Sequence, residues 1–154
     1  RGPRLVLDSD MLFFRRPDLL LAWLENPTDA IHLLDVQDAY GYPAETLQTL
    51  ANNALPPHVN VGVLGLASEP IDWEKLERDC ATLISTHGTS YYLEQALSAL
   101  LLAGRPAIRL PAATYRVLPT DAESIRPTAA LHHYVAASKR SYFRHVWHRV
   151  NPAA

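Results

Sequence analysis

With 154 residues, 48% apolar and 19% charged, the chain can build one domain with a sizeable core and is too apolar for a disordered segment. A formal net charge of -2 gives no reason to expect nucleic acid as a partner, and the single cysteine, Cys80, excludes an internal disulfide. No apolar run approaches the ~20 residues of a membrane span and no signal peptide is visible, so the expected location is the cytoplasm, with no membrane span.

Arg4 to Leu7 (RLVL) carries a short apolar run into Asp8-Ser9-Asp10, and apolar sequence resumes from Met11 to Phe14 before breaking at Arg15-Arg16-Pro17. A Leu- and Val-rich run ahead of two carboxylates predicts a buried strand that presents Asp8 and Asp10 at its end. In extended chain, residues i and i+2 point the same way, so both carboxylates can meet one hard cation. Open α/β sheets bind ligands at such strand ends. The competing reading is an acidic turn behind an edge strand.

Pro17 to Leu24 follows as a helix, with proline in its first turn, Asp18 complementing the dipole and Asn26-Pro27 as its stop. Ala30 to Val36 (AIHLLDV) is the next strand, and Gln37 to Pro43 a loop rich in hydrogen-bonding side chains. Ala44 to Asn53 forms a short helix with Leu47, Leu50 and Ala51 on one side. His58 to Leu66 (HVNVGVLGL) is a strand interrupted by two glycines, which mark a bulge or a close approach.

The second half is more helical. Asp72 caps a helix to about Ser85, with Trp73, Leu76, Cys80, Leu83 and Ile84 as its apolar stripe. Thr89 or Ser90 caps another, which carries Glu94-Gln95, reaches Ala103 and stops at Gly104. Short strands are expected at Ala107 to Leu110 and Tyr115 to Leu118, then a polar loop from Pro119 to Pro127 and a last strand from Ala129 to Val135. Ser138 to Val150 reads as a basic, aromatic C-terminal helix. The alternation predicts a single α/β domain over residues 1–154, a mixed sheet flanked by helices.

Four constellations carry chemistry. Asp8, Asp10 and His133 suit Mn²⁺ or Mg²⁺, with positions left for phosphate oxygens and water. His132 and His133 are adjacent in a strand and face opposite sides, so at most one reaches the metal. Lys139, six residues after His133, is a point charge suited to a diphosphate leaving group; its bland reading is a surface lysine. Asn60-Val61-Gly62 puts an amide and a glycine where they could line an acceptor pocket, or simply kink a strand. Glu94-Gln95 could face a pocket or solvent.

The ordered set VLDSDMLFFRRP, VNVGVLGL, LEQAL and LHHYVAASK resembles the metal-binding and acceptor half of a GT-A fold glycosyltransferase, nearest to the glycogenin and galactosyltransferase-like families. Their late motif is His-x-x-Gly-x-x-Lys-Pro-Trp. His133 and Lys139 match its spacing, which selects His133 over His132; Ala136 stands in place of the glycine and Arg140-Ser141 in place of Pro-Trp. The likeness runs from about Leu5 to Lys139.

The resemblance implies transfer of a sugar from a nucleotide-diphosphate sugar to a sugar, lipid or protein acceptor, with Mn²⁺ (or Mg²⁺) as Lewis acid on the departing diphosphate. Asp10 and His133 would ligate the metal, Asp8 would hold donor or metal, and Lys139 the diphosphate. Gln37, Asn60, Gly62 and Gln95 fall on the acceptor side, with Asp38 or Glu94 as a base if the reaction inverts. The family places a nucleotide-binding half ahead of Asp-x-Asp, whereas only Arg1, Gly2 and Pro3 precede this strand, so the expectation is a chain lacking that N-terminal half. The runner-up is a haloacid-dehalogenase-like phosphohydrolase with Asp8 as nucleophile, Asp10 as general acid and Leu83-Ile84-Ser85-Thr86 as second motif. A degenerate, non-catalytic sugar-binding domain is the third reading.

Overall fold

The computed structural model describes residues 2–67 and 71–150. The elements run β1 (Arg4–Leu7), β2 (Met11–Phe13), α1 (Asp18–Glu25), β3 (Ala30–Leu34), α2 (Ala44–Ala51), β4 (Val59–Leu66), α3 (Trp73–His87) and α4 (Leu93–Leu102). They continue with β5 (Ala107–Arg109), β6 (Tyr115–Val117), α5 (Asp121–Ile125), β7 (Leu131–His133), α6 (Ser138–His145) and α7 (Trp147–Val150). The expected mixed α/β architecture is present, divided into two small sheets rather than one. The first has strand order β1-β4-β3-β5 and the second β2-β7-β6. Each is mixed: β1–β4, β3–β4 and β2–β7 are antiparallel, while β3–β5 and β6–β7 are parallel.

Three apolar clusters hold these layers together. Leu20 and Trp23 of α1 join Ile31, Leu33, Val63, Leu110, Tyr115, Val117 and Leu131 in a core shared by both sheets. On the other face of the first sheet, Val59 and Leu64 pack with Ala99 and Leu102 of α4. Beyond that, Leu47, Ala51, Leu83, Ala96 and Leu100 join α2, α3 and α4 into an outer helical layer.

Several expectations are corrected. β1 is not a buried strand: it is the antiparallel edge of its sheet, with Val6 49% and Leu7 45% exposed and Leu5 alone packed on the core. Asp8 and Asp10 do not share one extended strand either, because the chain bends at Ser9-Asp10 and passes from the first sheet into the second. On α3 the buried positions are Asp79 and Leu83, whereas Trp73 and Ile84 are exposed. Asp79 is tolerated there because Lys75, one turn earlier, pairs with it at 2.5 Å. The loop from Pro119 to Pro127 contains α5, started by a capping box: Thr120 accepts from the Glu123 backbone while Glu123 accepts from that of Thr120. The C-terminal helix divides at Val146, a fully buried residue with non-helical φ of -122°. Neither Thr89 nor Ser90 is the cap of α4; the helix begins after Tyr92.

The two glycines of β4 do different work. At Gly65 a Cβ would meet Ile31 Cγ2 at 2.4 Å and the Trp23 ring at 2.8 Å, so its absence admits the core tryptophan. Gly62 lies in a register break: His32 pairs with Leu64 but Leu33 pairs with Asn60, so Val61 to Val63 leave the β3 ladder. The excursion leans toward β1, where Leu7 pairs with Val63 and the Gly62 carbonyl accepts from the Asp8 amide at 2.9 Å. A bulge in one strand thereby sets the position of Asp8.

Candidate metal centre and cleft

Asp8 follows β1, Asp10 precedes β2, and His133 ends β7 opposite Met11. The β2–β7 ladder extends one step further, since the Tyr134 amide donates to the Asp10 carbonyl at 2.9 Å. His133 Nε2 lies 3.0 Å from Asp10 Oδ1 and 3.5 Å from Asp8 Oδ2, and the three candidate ligand atoms fall within 4.8 Å of one another. Neighbouring ligands around a hard cation bonded at about 2.1 Å stand about 3 Å apart, so this spacing fits one ion with little movement. Two carboxylates and an imidazole make a mixed oxygen and nitrogen donor set.

The histidine register follows from strand alternation. His133 is 2% exposed, with its ring in the site. His132 is 1% exposed and turns the other way, edge-on to Phe14 at 4.9 Å and near Tyr134, whose hydroxyl lies 3.1 Å from its Nδ1. Burial holds the His132 imidazole below its usual pKa, as it also does for His32 in β3. Gly62 makes room for His133: a Cβ there would stand 2.3 Å from its Cε1 and 2.5 Å from its Nδ1. In this fold the glycine serves the histidine's approach.

Lys139 reaches back from α6 to Asp10 Oδ2 at 3.2 Å. Its placement depends on Ala136, which takes a left-handed φ of +45° and turns the chain from β7 into the helix. Leu118, with φ of +55°, gives its amide to the His133 carbonyl at 3.1 Å. Two strained residues thus flank the histidine.

The centre opens into a cleft of about 650 Å³ lined by Asp8, His133 and Lys139 at one end and by Asp35, Gln37, Asn60, Gly62, Glu94 and Gln95 along its walls. Tyr91, 93% exposed, and Tyr92 stand at its rim. On the other side of Asp10 and Lys139 lies a smaller hollow of about 270 Å³, walled by Met11, Leu12, Tyr142 and Phe143. Of the residues predicted from sequence, Asp38 alone does not join the site. Its Oδ1 accepts the His58 amide at 2.6 Å and fixes the entry to β4, where His58 itself has φ of +56°. Gln95 lines the cleft but its amide nitrogen already donates to the Ala39 carbonyl at 2.8 Å and to Asp35 at 3.3 Å. Glu94 is exposed on the cleft wall.

Asp35 is the residue that sequence reasoning missed. It follows β3 directly, as Asp8 follows β1, so a carboxylate at a strand end was the available signal. Its Oδ1 accepts the Val36 amide at 2.7 Å, and its Oδ2 accepts from Asn60 Nδ2 at 2.9 Å. Asn60 in turn faces His133, with 3.2 Å between Asn60 Oδ1 and His133 Nδ1. No family model, curated protein or solved structure matches this chain.

Proposed function

We propose that this chain carries the metal- and acceptor-binding part of a glycosyltransferase that moves a sugar from a nucleotide-diphosphate sugar to an acceptor. The observation that carries this is the convergence of Asp8, Asp10 and His133 beside Lys139 at the head of a polar cleft. Two carboxylates and a neutral imidazole would hold Mn²⁺ or Mg²⁺, leaving coordination sites for phosphate oxygens. A divalent ion bound there supplies Lewis-acid stabilisation of charge on a departing diphosphate.

The formal charges favour such a ligand. Asp8 and Asp10 balance the divalent ion, and Lys139 leaves one net positive charge facing the diphosphate. Lys139 already reaches Asp10, so it can shift to a phosphate oxygen without leaving the site. The rim tyrosines offer flat faces to a sugar ring, and Gln37 and Glu94 offer hydrogen bonds. Glu94 is the base candidate for an inverting transfer, because Asp38 is engaged with the His58 amide.

The phosphohydrolase reading fares worse. Ser85 and Thr86, its second motif, lie on the exposed side of α3 and do not line the cleft; Ser85 Oγ donates within its own helix to the Thr82 carbonyl. The test is calorimetric titration of Mn²⁺ and nucleoside diphosphates into the full chain and its Asp10→Ala variant. Loss of metal-dependent nucleoside diphosphate binding in the variant is expected, and unchanged affinities would remove the proposal. A beryllium fluoride adduct on Asp8 would replace it with the phosphohydrolase.

A further inference from the structure

The hydrogen bonds behind His133 determine which of its nitrogens carries a proton. The Gly62 backbone N–H can only donate, and it meets Asn60 Oδ1 at 3.0 Å. The Asp35 carboxylate can only accept, and it meets Asn60 Nδ2 at 2.9 Å. These two contacts fix the Asn60 amide from both ends. Rotating it by half a turn would set an N–H against an NH₂ and an amide oxygen against a carboxylate oxygen. Asn60, 5% exposed, has little water to repair either mismatch.

The oxygen that remains toward His133 Nδ1, at 3.2 Å, is therefore an acceptor, and Nδ1 must be the N–H. In the neutral ring the lone pair then sits on Nε2. That atom points at Asp10 Oδ1 and Asp8 Oδ2, so three acceptors converge with no proton among them. Free histidine side chains favour the opposite form, with the proton on Nε2, which here would quench the convergence by donating to Asp10. In the neutral ring the Nδ1–H form leaves that convergence unrelieved.

From this we infer that Asp35 is a positioning residue of the metal centre: acting through Asn60, it holds His133 in the Nδ1–H tautomer with Nε2 open to a divalent cation. The inference rests on the metal-centre reading above and extends it to a carboxylate that touches no candidate ligand. Gln95 supports the same carboxylate from α4, donating to Asp35 Oδ2 at 3.3 Å, so β4 and α4 converge on one oxygen. Metal-bound histidines commonly need such a partner on the far nitrogen, and its loss costs about 10- to 100-fold in affinity. Here the partner is an amide, itself oriented by a carboxylate.

The test is a long-range ¹H–¹⁵N spectrum of histidine-labelled full chain, metal-free and at mildly alkaline pH, with His133 assigned by His133→Gln. The wild type is expected to show His133 as Nδ1–H. Asp35→Ala should move it toward Nε2–H and weaken Mn²⁺ binding in calorimetry by about 10- to 100-fold. A wild-type His133 that is Nε2–H or doubly protonated overturns the inference. So does an Asp35→Ala variant that keeps both the tautomer and the affinity. If Asp35→Ala does not fold, the wild-type Asn60 side-chain amide decides: slow exchange supports the relay, and exchange at the rate of a free amide overturns it. A wild type with Nδ1–H that binds no Mn²⁺ overturns the metal centre instead, which the two readouts keep distinct.

Discussion

Gly62→Ala tests whether the glycine of β4 exists for the strand or for the histidine. On propensity alone the change should help, since alanine in a strand is favoured over glycine by roughly 0.5–1 kcal/mol. Contact geometry gives the opposite sign. The new Cβ would stand 2.3 Å from His133 Cε1, 2.5 Å from Nδ1 and 2.6 Å from Met11 Cε. Met11 can swing aside, but the imidazole is held by Asn60 at 3.2 Å on one nitrogen and faces Asp10 at 3.0 Å on the other. Relief to ordinary contact requires the ring to move by about 1 Å, which breaks the Nδ1 hydrogen bond and opens the ligand set. Overpacking of this kind costs about 1–3 kcal/mol, which after the propensity gain leaves a net loss of up to about 2.5 kcal/mol. For a chain of this length that lowers Tm by up to about 10 °C. Mn²⁺ affinity should fall by at least about tenfold with the loss of the Nδ1 partner. Thermal melts and calorimetry on the same preparation read both. A variant as stable as the wild type, with undiminished Mn²⁺ affinity, would refute the close-packing argument.

Ala136→Gly should raise the unfolding free energy from urea melts by about 0.5–1 kcal/mol, because an L-residue at φ of +45° carries a cost that glycine avoids; a lower value would show that the turn is not strained. Burial holds His32 below its ordinary value of 6.5, with Nδ1 donating to the Leu33 carbonyl and Nε2 without a partner among the described residues. Its contribution to stability is therefore complete above pH 6.5 and is lost as pH falls toward the lowered folded value; His32→Leu should flatten that slope in urea midpoints taken across pH, and unchanged slopes would refute it. His133→Ala should abolish most Mn²⁺ affinity, by about 100-fold or more, while His132→Ala should cost on the order of 2 kcal/mol of stability and leave metal binding intact; the reverse pattern in calorimetry would assign the site to the other histidine. Val6→Lys should reduce self-association in sedimentation, since among the described residues β1 offers one unpaired edge with Val6 and Leu7 exposed between Arg4 and Asp8; a concentration-independent monomer in the wild type would refute that.

The candidate site was more legible than the layering around it. Strand alternation allows only one of His132 and His133 to face the site, and the six-residue spacing to Lys139 points to His133; that spacing survives because a single left-handed residue converts a strand end into a helix start. The glycines of β4 predicted a bulge or a close approach, and the bulge occurs at Gly62, where the close neighbour is the His133 side chain. What failed were inferences from composition about burial. Arg4 to Leu7 is apolar enough for a core strand, yet it forms an edge, because edge or centre depends on which distant strands pair and not on local residues. Asp38 and Asp35 are three residues apart, and their roles depend on pairing that local sequence does not show: the β3–β4 register sets Leu33 opposite Asn60 and Asp35 opposite His58, so the Asp35 carboxylate reaches the Asn60 amide diagonally while Asp38 takes the His58 amide. Thr120-x-x-Glu123 was a readable capping box that the polar composition of its surroundings concealed.

The division into two sheets is what sets the acceptors of the candidate centre against one another. Asp8 is carried by the first sheet, through the bulged β4; Asp10 and His133 are carried by the second, through the β2–β7 ladder. Ser9 is the only residue between the two carboxylates, so neither can retreat far from the other without unpairing a strand. With Nδ1 of His133 occupied by Asn60, Nε2 adds a third lone pair to the same space. A cation there would join the sheets at the point where their own acceptors oppose each other, and its binding energy would add directly to the stability of the folded state, by about 2.7 kcal/mol at one hundred times Kd. Lys139 supplies only one charge, from a side chain that is more than half exposed, and so relieves the opposition in part. It leaves a site that is held together without an ion and that a divalent ion would complete.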